Sequence, residues 1–86
     1  MSARILIIED NPANLELMTY LLTAFGHVVA AAEDGVHGVE AAGMKMPDLI
    51  ICDVQLPDID GFEVARRIRR NPSIVRYPWW RLPPLP

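Results

Sequence analysis

The chain has 86 residues, of which 51% are hydrophobic and 22% charged, with a net charge of −3. That composition is globular rather than disordered and fits one domain, although a chain this short buries only about 60 to 65% of the surface its unfolded form exposes. One cysteine, Cys52, excludes an intrachain disulfide, and no apolar run has the length of a signal h-region or a membrane span, so a cytoplasmic protein without membrane attachment is expected.

The first element in chain order is Arg4-Ile-Leu-Ile-Ile8, a continuous apolar run of strand length that ends directly in Glu9-Asp10. Asn11 is placed to cap a helix whose first position is Pro12. Leu15, Met18, Leu21, Leu22 and Phe25 recur at helical spacing, and Gly26 is a natural stop. A weaker strand follows over residues 27–32, and Asp34 is set to cap a second helix running to about Lys45. Gly35, Gly38 and Gly43 make that helix the loosest expected, each lowering helix propensity by up to about 1 kcal/mol. Gly35-Val-His-Gly38 lacks the spacing of a dinucleotide-binding turn. His27 and His37 have no metal-ligand spacing and read as surface or edge residues.

Pro47 closes the second helix. The run Leu49 to Cys52 then reads as a parallel strand covered on both faces, delivering Asp53 to a turn. Asp60 with Glu63 forms a capping-box pattern opening a third helix, whose inner stripe is read as Phe62, Ala65 and Ile68. The order βαβαβα implies a parallel sheet with right-handed crossovers. Ligands of such sheets sit beyond the carboxyl ends of the strands. If the two apolar strands are neighbours, Glu9, Asp10 and Asp53 converge there, and a hard divalent cation relieves their repulsion. Mg²⁺ is the natural ion, and phosphoryl transfer to Asp53 the chemistry suggested.

Charge is divided along the chain. Residues 1 to 60 carry ten acids against Arg4 and Lys45, and residues 61 to 86 carry Glu63 against six arginines. Arg66, Arg67, Arg69 and Arg70 are read as a solvated helix face rather than a nucleic-acid patch.

Ile-Leu-Ile-Ile-Glu-Asp-Asn at 5–11, Asp-Leu-Ile-Ile-Cys-Asp at 48–53 and Leu-Pro-Asp-Ile-Asp-Gly at 56–61 together resemble the receiver domain of two-component response regulators, in its stand-alone or hybrid-kinase form. The resemblance implies a flavodoxin-like doubly wound α/β sheet, here incomplete, with strand order 2-1-3. By the same resemblance, Asp53 is the phosphoacceptor for a histidine kinase or histidine phosphotransfer protein. Asp10 is a direct Mg²⁺ ligand, Glu9 a direct or water-mediated one, and the main-chain carbonyl of Gln55 a third. Pro57 and Gly61 shape the loop. The module is an acceptor rather than a turnover enzyme. A related metal-dependent phosphatase normally carries a second acid two residues after its nucleophile, where this chain has Gln55.

The resemblance covers about residues 3 to 78, and the partial receiver domain is expected over residues 1–73. Residues 74–86 form a Pro- and Trp-rich tail that lacks the family's fourth and fifth strands, its Ser or Thr, its aromatic switch residue and its Lys. Trp79-Trp80-Arg81 can be encoded as TGG TGG CGN, which one base earlier reads as an apolar strand, so the tail is read as a frameshift product; the alternative is a natural linker or ligand segment. Loss of the later strands leaves the third strand as an exposed edge, and self-association or a non-phosphorylated protein-binding fragment is the second expectation.

Overall fold

A computed structural model describes residues 2–71. These form β1 (Arg4–Ile8), α1 (Pro12–Ala24), β2 (Val28–Ala32), α2 (Gly35–Lys45), β3 (Leu49–Cys52) and α3 (Gly61–Arg70). The Pro/Trp-rich tail and the frameshift reading attached to it fall outside the described residues.

The sheet order is β2-β1-β3 and both pairings are parallel, with Ile8 opposite Ala32 on one side and Cys52 on the other. The chain adds β2 to one side of β1 and β3 to the other. Right-handed crossovers running in opposite directions put their helices on opposite faces, which is the doubly wound arrangement. β1 takes the centre because its apolar run can be covered on both sides, and Ile5 to Ile8 are buried.

Side chains alternate between the two faces. Leu6 and Ile8 join Ala32, Ala42, Val64 and Ile68 in the core on the α2/α3 side. Burying each of the Leu, Ile and Val side chains among these contributes about 1.5–3 kcal/mol. On the opposite face Ile5 and Ile7 are buried, while exposed Ala31 borders an open cleft together with Leu15, Thr19 and Thr23 of α1.

Local signals set the helix ends. Asn11, Asp34 and Asp60 each accept a backbone N–H from the residue three positions on. α2 ends at Met46, which adopts a left-handed conformation (φ 49°) in front of buried Pro47, because the residue before proline is disfavoured in the right-handed helical region.

Several expectations are corrected. In α1, Leu15, Met18 and Leu22 are half-buried, whereas Leu21 and Phe25 are exposed and no residue of the helix is fully buried. In α3 the inner pair is Val64 and Ile68, each 1% exposed, while Phe62 is exposed. At about 100° per residue Phe62 points roughly opposite to Val64 once Asp60 has fixed where the helix starts. β3 is not covered on both faces: Leu49 is exposed and Ile50 to Cys52 are half-buried, the strand having β1 as its one sheet neighbour among the described residues. The capping box is half formed. Asp60 Oδ1 accepts from Glu63 N–H at 2.8 Å, but the Glu63 carboxylate turns away to Arg66 and to Arg67, at 3.0 Å from the latter.

Candidate functional site

Parallel pairing puts the ends of β1 and β3 at the same edge of the sheet. Two backbone hydrogen bonds hold the residues that follow: Glu9 N–H donates to Ala32 C=O at 3.0 Å, and Asp53 N–H donates to Ile8 C=O at 2.9 Å. The chain therefore leaves each strand still tethered to its neighbour. Carboxylate oxygens of Glu9, Asp10 and Asp53 come within 4.8 Å of one another, the only such cluster of potential metal ligands among the described residues. Glu9 and Asp53 are half-buried and Asp10 is exposed.

The groups around these acids are uneven. Asn14 Nδ2 donates to Glu9 Oε1 at 3.4 Å, and Asn14 is itself held by its N–H bond to Asn11. Glu9 Oε2 is buried with no hydrogen-bond partner, the one side-chain polar atom in that condition among the described residues. A buried acceptor left unpaired is costly, and so are three like charges in one crevice. The donors are hard oxygens, and one of the three residues, Glu9, carries the unpaired buried oxygen, so the residues fit a small divalent cation such as Mg²⁺. Gln55 N–H donates to Asp53 Oδ1 at 3.3 Å, which orients the central carboxylate from the loop side.

The loop from Asp53 to Asp60 is pinned at both ends of its course. Gly61 N–H donates to Val54 C=O at 2.8 Å, and a Cβ at Gly61 would stand 2.6 Å from Asp53 C=O, so only glycine lets the helix start pass this close to the acid. Midway, Asp58 reaches across to α2, its two oxygens accepting Gly35 N–H and Val36 N–H, each at 2.8 Å. Gly35 also permits this approach, since a Cβ there would meet Ile59 Cγ1 at 2.4 Å. Sequence reasoning missed Asp58, which it quoted within the motif at 56–61 without assigning it a role. It also missed Asp48, whose Oδ2 accepts Arg4 N–H at 2.8 Å at the other end of the sheet.

Cys52 beside the cluster is half-buried rather than buried, yet burial, with the charges of Asp53 and Glu9, pushes its thiol up to about 11, which keeps it unreactive. His37 lies at the surface, its Nδ1 2.6 Å from Asp34 Oδ2, and His27 Nδ1 accepts Ala3 N–H at 3.1 Å. Neither histidine joins the acid cluster. The α3 arginines are exposed, with Arg66 and Arg67 paired to Glu63. No helix among the described residues is long and apolar enough to cross a membrane.

Residues 5–77 match the sequence profile of the response regulator receiver domain. The response regulator PleD of Caulobacter vibrioides is 40% identical over 78 residues, an alignment covering 91% of this chain and 17% of that protein. Among solved structures, the receiver domain of a sensor histidine kinase from Pseudomonas aeruginosa, with a magnesium ion coordinated in its active-site cleft, is 33% identical with a TM-score of 0.83, over 91% of this chain and 64% of that one. A response regulator structure from Chloroflexus aurantiacus gives 31% identity and a TM-score of 0.82 over the same shares. The chain thus spans less than two thirds of the length of these relatives. The sheet order, the acids at the strand ends and the profile match agree, and the chain belongs to the response regulator receiver domain family.

Proposed function

We propose that this chain is a phosphoacceptor module of a two-component phosphorelay, receiving a phosphoryl group on Asp53 from a histidine kinase or a histidine phosphotransfer protein. The observation that carries this reading is the convergence of carboxylate oxygens of Glu9, Asp10 and Asp53 within 4.8 Å of one another. Glu9, Asp10, Asp53 and the main-chain carbonyl of Gln55 would hold Mg²⁺, which supplies neutralisation of charge on the transferring group. A carboxylate oxygen of Asp53 attacks phosphorus, the phosphorus–nitrogen bond to the donor imidazole breaks, and that nitrogen keeps the electron pair and takes a proton. Asp53 is taken as the attacking group by the family resemblance of the motif at 48–53, and the Gln55 N–H that orients its Oδ1 supports this reading. The module accepts and hands on a phosphoryl group rather than turning over a substrate. It acts in the cytoplasm, without nucleic acid or membrane as a partner. Residues 1–73 make up the receiver unit in this reading and 74–86 a separate tail.

Intact-mass analysis after incubation with Mg²⁺ and a small acyl phosphate tests it. A phosphoryl adduct that requires Mg²⁺ and is lost in Asp53→Asn is expected; a folded chain that takes up no phosphoryl group refutes the reading.

A second reading, self-association through β3, is favoured by one observation: among the described residues the outer edge of β3 has no strand beside it, and unpaired edges template further pairing. Light scattering coupled to size exclusion decides it, a monodisperse monomer counting against it.

A further inference from the structure

Asp58 does something that neither a turn nor a metal ligand requires. It lies between the loop that follows Asp53 and the start of α2, more than twenty residues away in sequence, and it uses both carboxylate oxygens on the first two N–H groups of that helix. Asp34 takes the third N–H through its side chain, and the fourth, that of Gly38, makes the first bond within the helix to Asp34 C=O, so the open N–H groups of the first three helical residues are all occupied. Two of those three are met by a residue from outside the helix. Ile59, the next residue, closes on Gly35 from the same side and packs against the core. On its other side, the loop runs back to Gln55, whose N–H orients Asp53 Oδ1.

We propose that Asp58 is a positioning residue that couples the acidic crevice to the first turn of α2, so that cation binding at Asp53 stiffens that turn and loss of Asp58 weakens cation binding. This rests on reading the crevice as a Mg²⁺ site. The physical reason is that a cation can draw full benefit from Asp53 and the Gln55 segment only if the loop holds them in place, and Asp58 supplies the hold midway between the loop's two ends. Outer contacts that orient ligands typically change metal affinity 10- to 100-fold. A single anchor three residues from Gln55 belongs at the lower end, about tenfold. Coupling of this kind is reciprocal, so the cation must protect the clamp by the same factor by which the clamp favours the cation.

The test uses the full 86-residue chain. Isothermal titration with MgCl₂ gives Kd for the wild type, for Asp58→Ala, and for Gly35→Ala, which pushes Ile59 and the loop away from α2 while residue 58 keeps its carboxylate. Amide exchange of the wild type with and without saturating Mg²⁺ is measured alongside and needs no variant. The expected result is an approximately tenfold rise in Kd for both variants and an approximately tenfold slowing of exchange at Gly35 and Val36. Arg4 N–H, bound to Asp48 at the far end of the sheet, should be unchanged. Should the wild type bind no Mg²⁺, the reading of the crevice fails and the coupling with it. If the wild type binds Mg²⁺ while exchange at Gly35 and Val36 stays constant, or slows equally at Arg4, the coupling alone is overturned. If the variants fold and keep the wild-type Kd, it is overturned as well.

Discussion

The two faces of the sheet are covered in opposite ways. α1 is rich in Leu, with Met and Tyr, yet none of its residues is fully buried; Tyr20 is 70% exposed and Phe25, which caps the helix, 78%. α3 has five charged residues among ten, yet it buries Val64 and Ile68 almost completely. What differs is geometry. On the α2/α3 side, Val64 and Ile68 meet Leu6, Ile8 and Ala42 in one cluster, and Ile59 and Leu56 of the loop pack against it. The α1 side lies mainly over β2, where the small and exposed Ala31 borders an open cleft with the helix. Apolar content therefore does not locate the core here, and the better-packed face is the one tied to the loop that carries the candidate chemistry.

The contrast can be broken most severely on the α2/α3 side. Ile68→Ala should cost about 2–5 kcal/mol in urea unfolding, because it empties a fully enclosed position, whereas Phe25→Ala should stay within about 0.5 kcal/mol. Equal losses at both sites would mean that the α1 face is as well packed as the other.

A smaller effect is expected at the Asp58 clamp. Partial desolvation raises the Asp58 carboxyl, but the N–H groups of Gly35 and Val36 outweigh it and hold the value at about 2 against an ordinary 3.8. The folded value is depressed, so the stabilisation is present above about pH 4 and is lost as pH falls through 2. Wild type should melt about 5 °C above Asp58→Asn near neutral pH. That gap should close between pH 4 and pH 2, and a gap independent of pH would exclude the charge as its source.

The smallest effect belongs to the exposed pair at the start of α2. The hydrogen bond to Asp34, then its charge, raises the His37 imidazole above 6.5, while the His37 backbone N–H and then its side chain lower Asp34. A raised value means stabilisation that is complete below 6.5 and lost as pH rises through the folded value. His37→Ala should lower Tm by about 1 °C at pH 6 and by nothing measurable well above that value, since exposed pairs contribute little.

Much of this was legible in the sequence because it is local. The runs at 4–8 and 49–52 announce strands, and each ends in an acid. Asn11, Asp34 and Asp60 sit three residues before the N–H groups they cap. What could not be read depends on distant partners. Asp58 finds its acceptorless amides 22 and 23 residues away, and nothing in Pro-Asp-Ile-Asp distinguishes that aspartate from a solvated one. Glu63 matches a capping box, but Arg66 and Arg67 offer it charge and win. Periodicity gave α1 an apolar stripe without saying how much sheet lay beneath it, and in α3 it admitted Phe62 where the helix start selects Val64.

The parallel tethers at the two strand ends also order events in time. Asp48 accepts the N–H of Arg4 from 44 positions along the chain, and Asp53 N–H finds Ile8 C=O from 45. Contacts of such sequence separation must repay a large loop-closure entropy and form slowly. During synthesis β1 leaves the ribosome carrying Glu9 and Asp10 long before their third carboxylate exists. The crevice is thus assembled when β3 docks on β1, and affinity for a divalent cation, measured through refolding, should emerge with that docking rather than with the first helix.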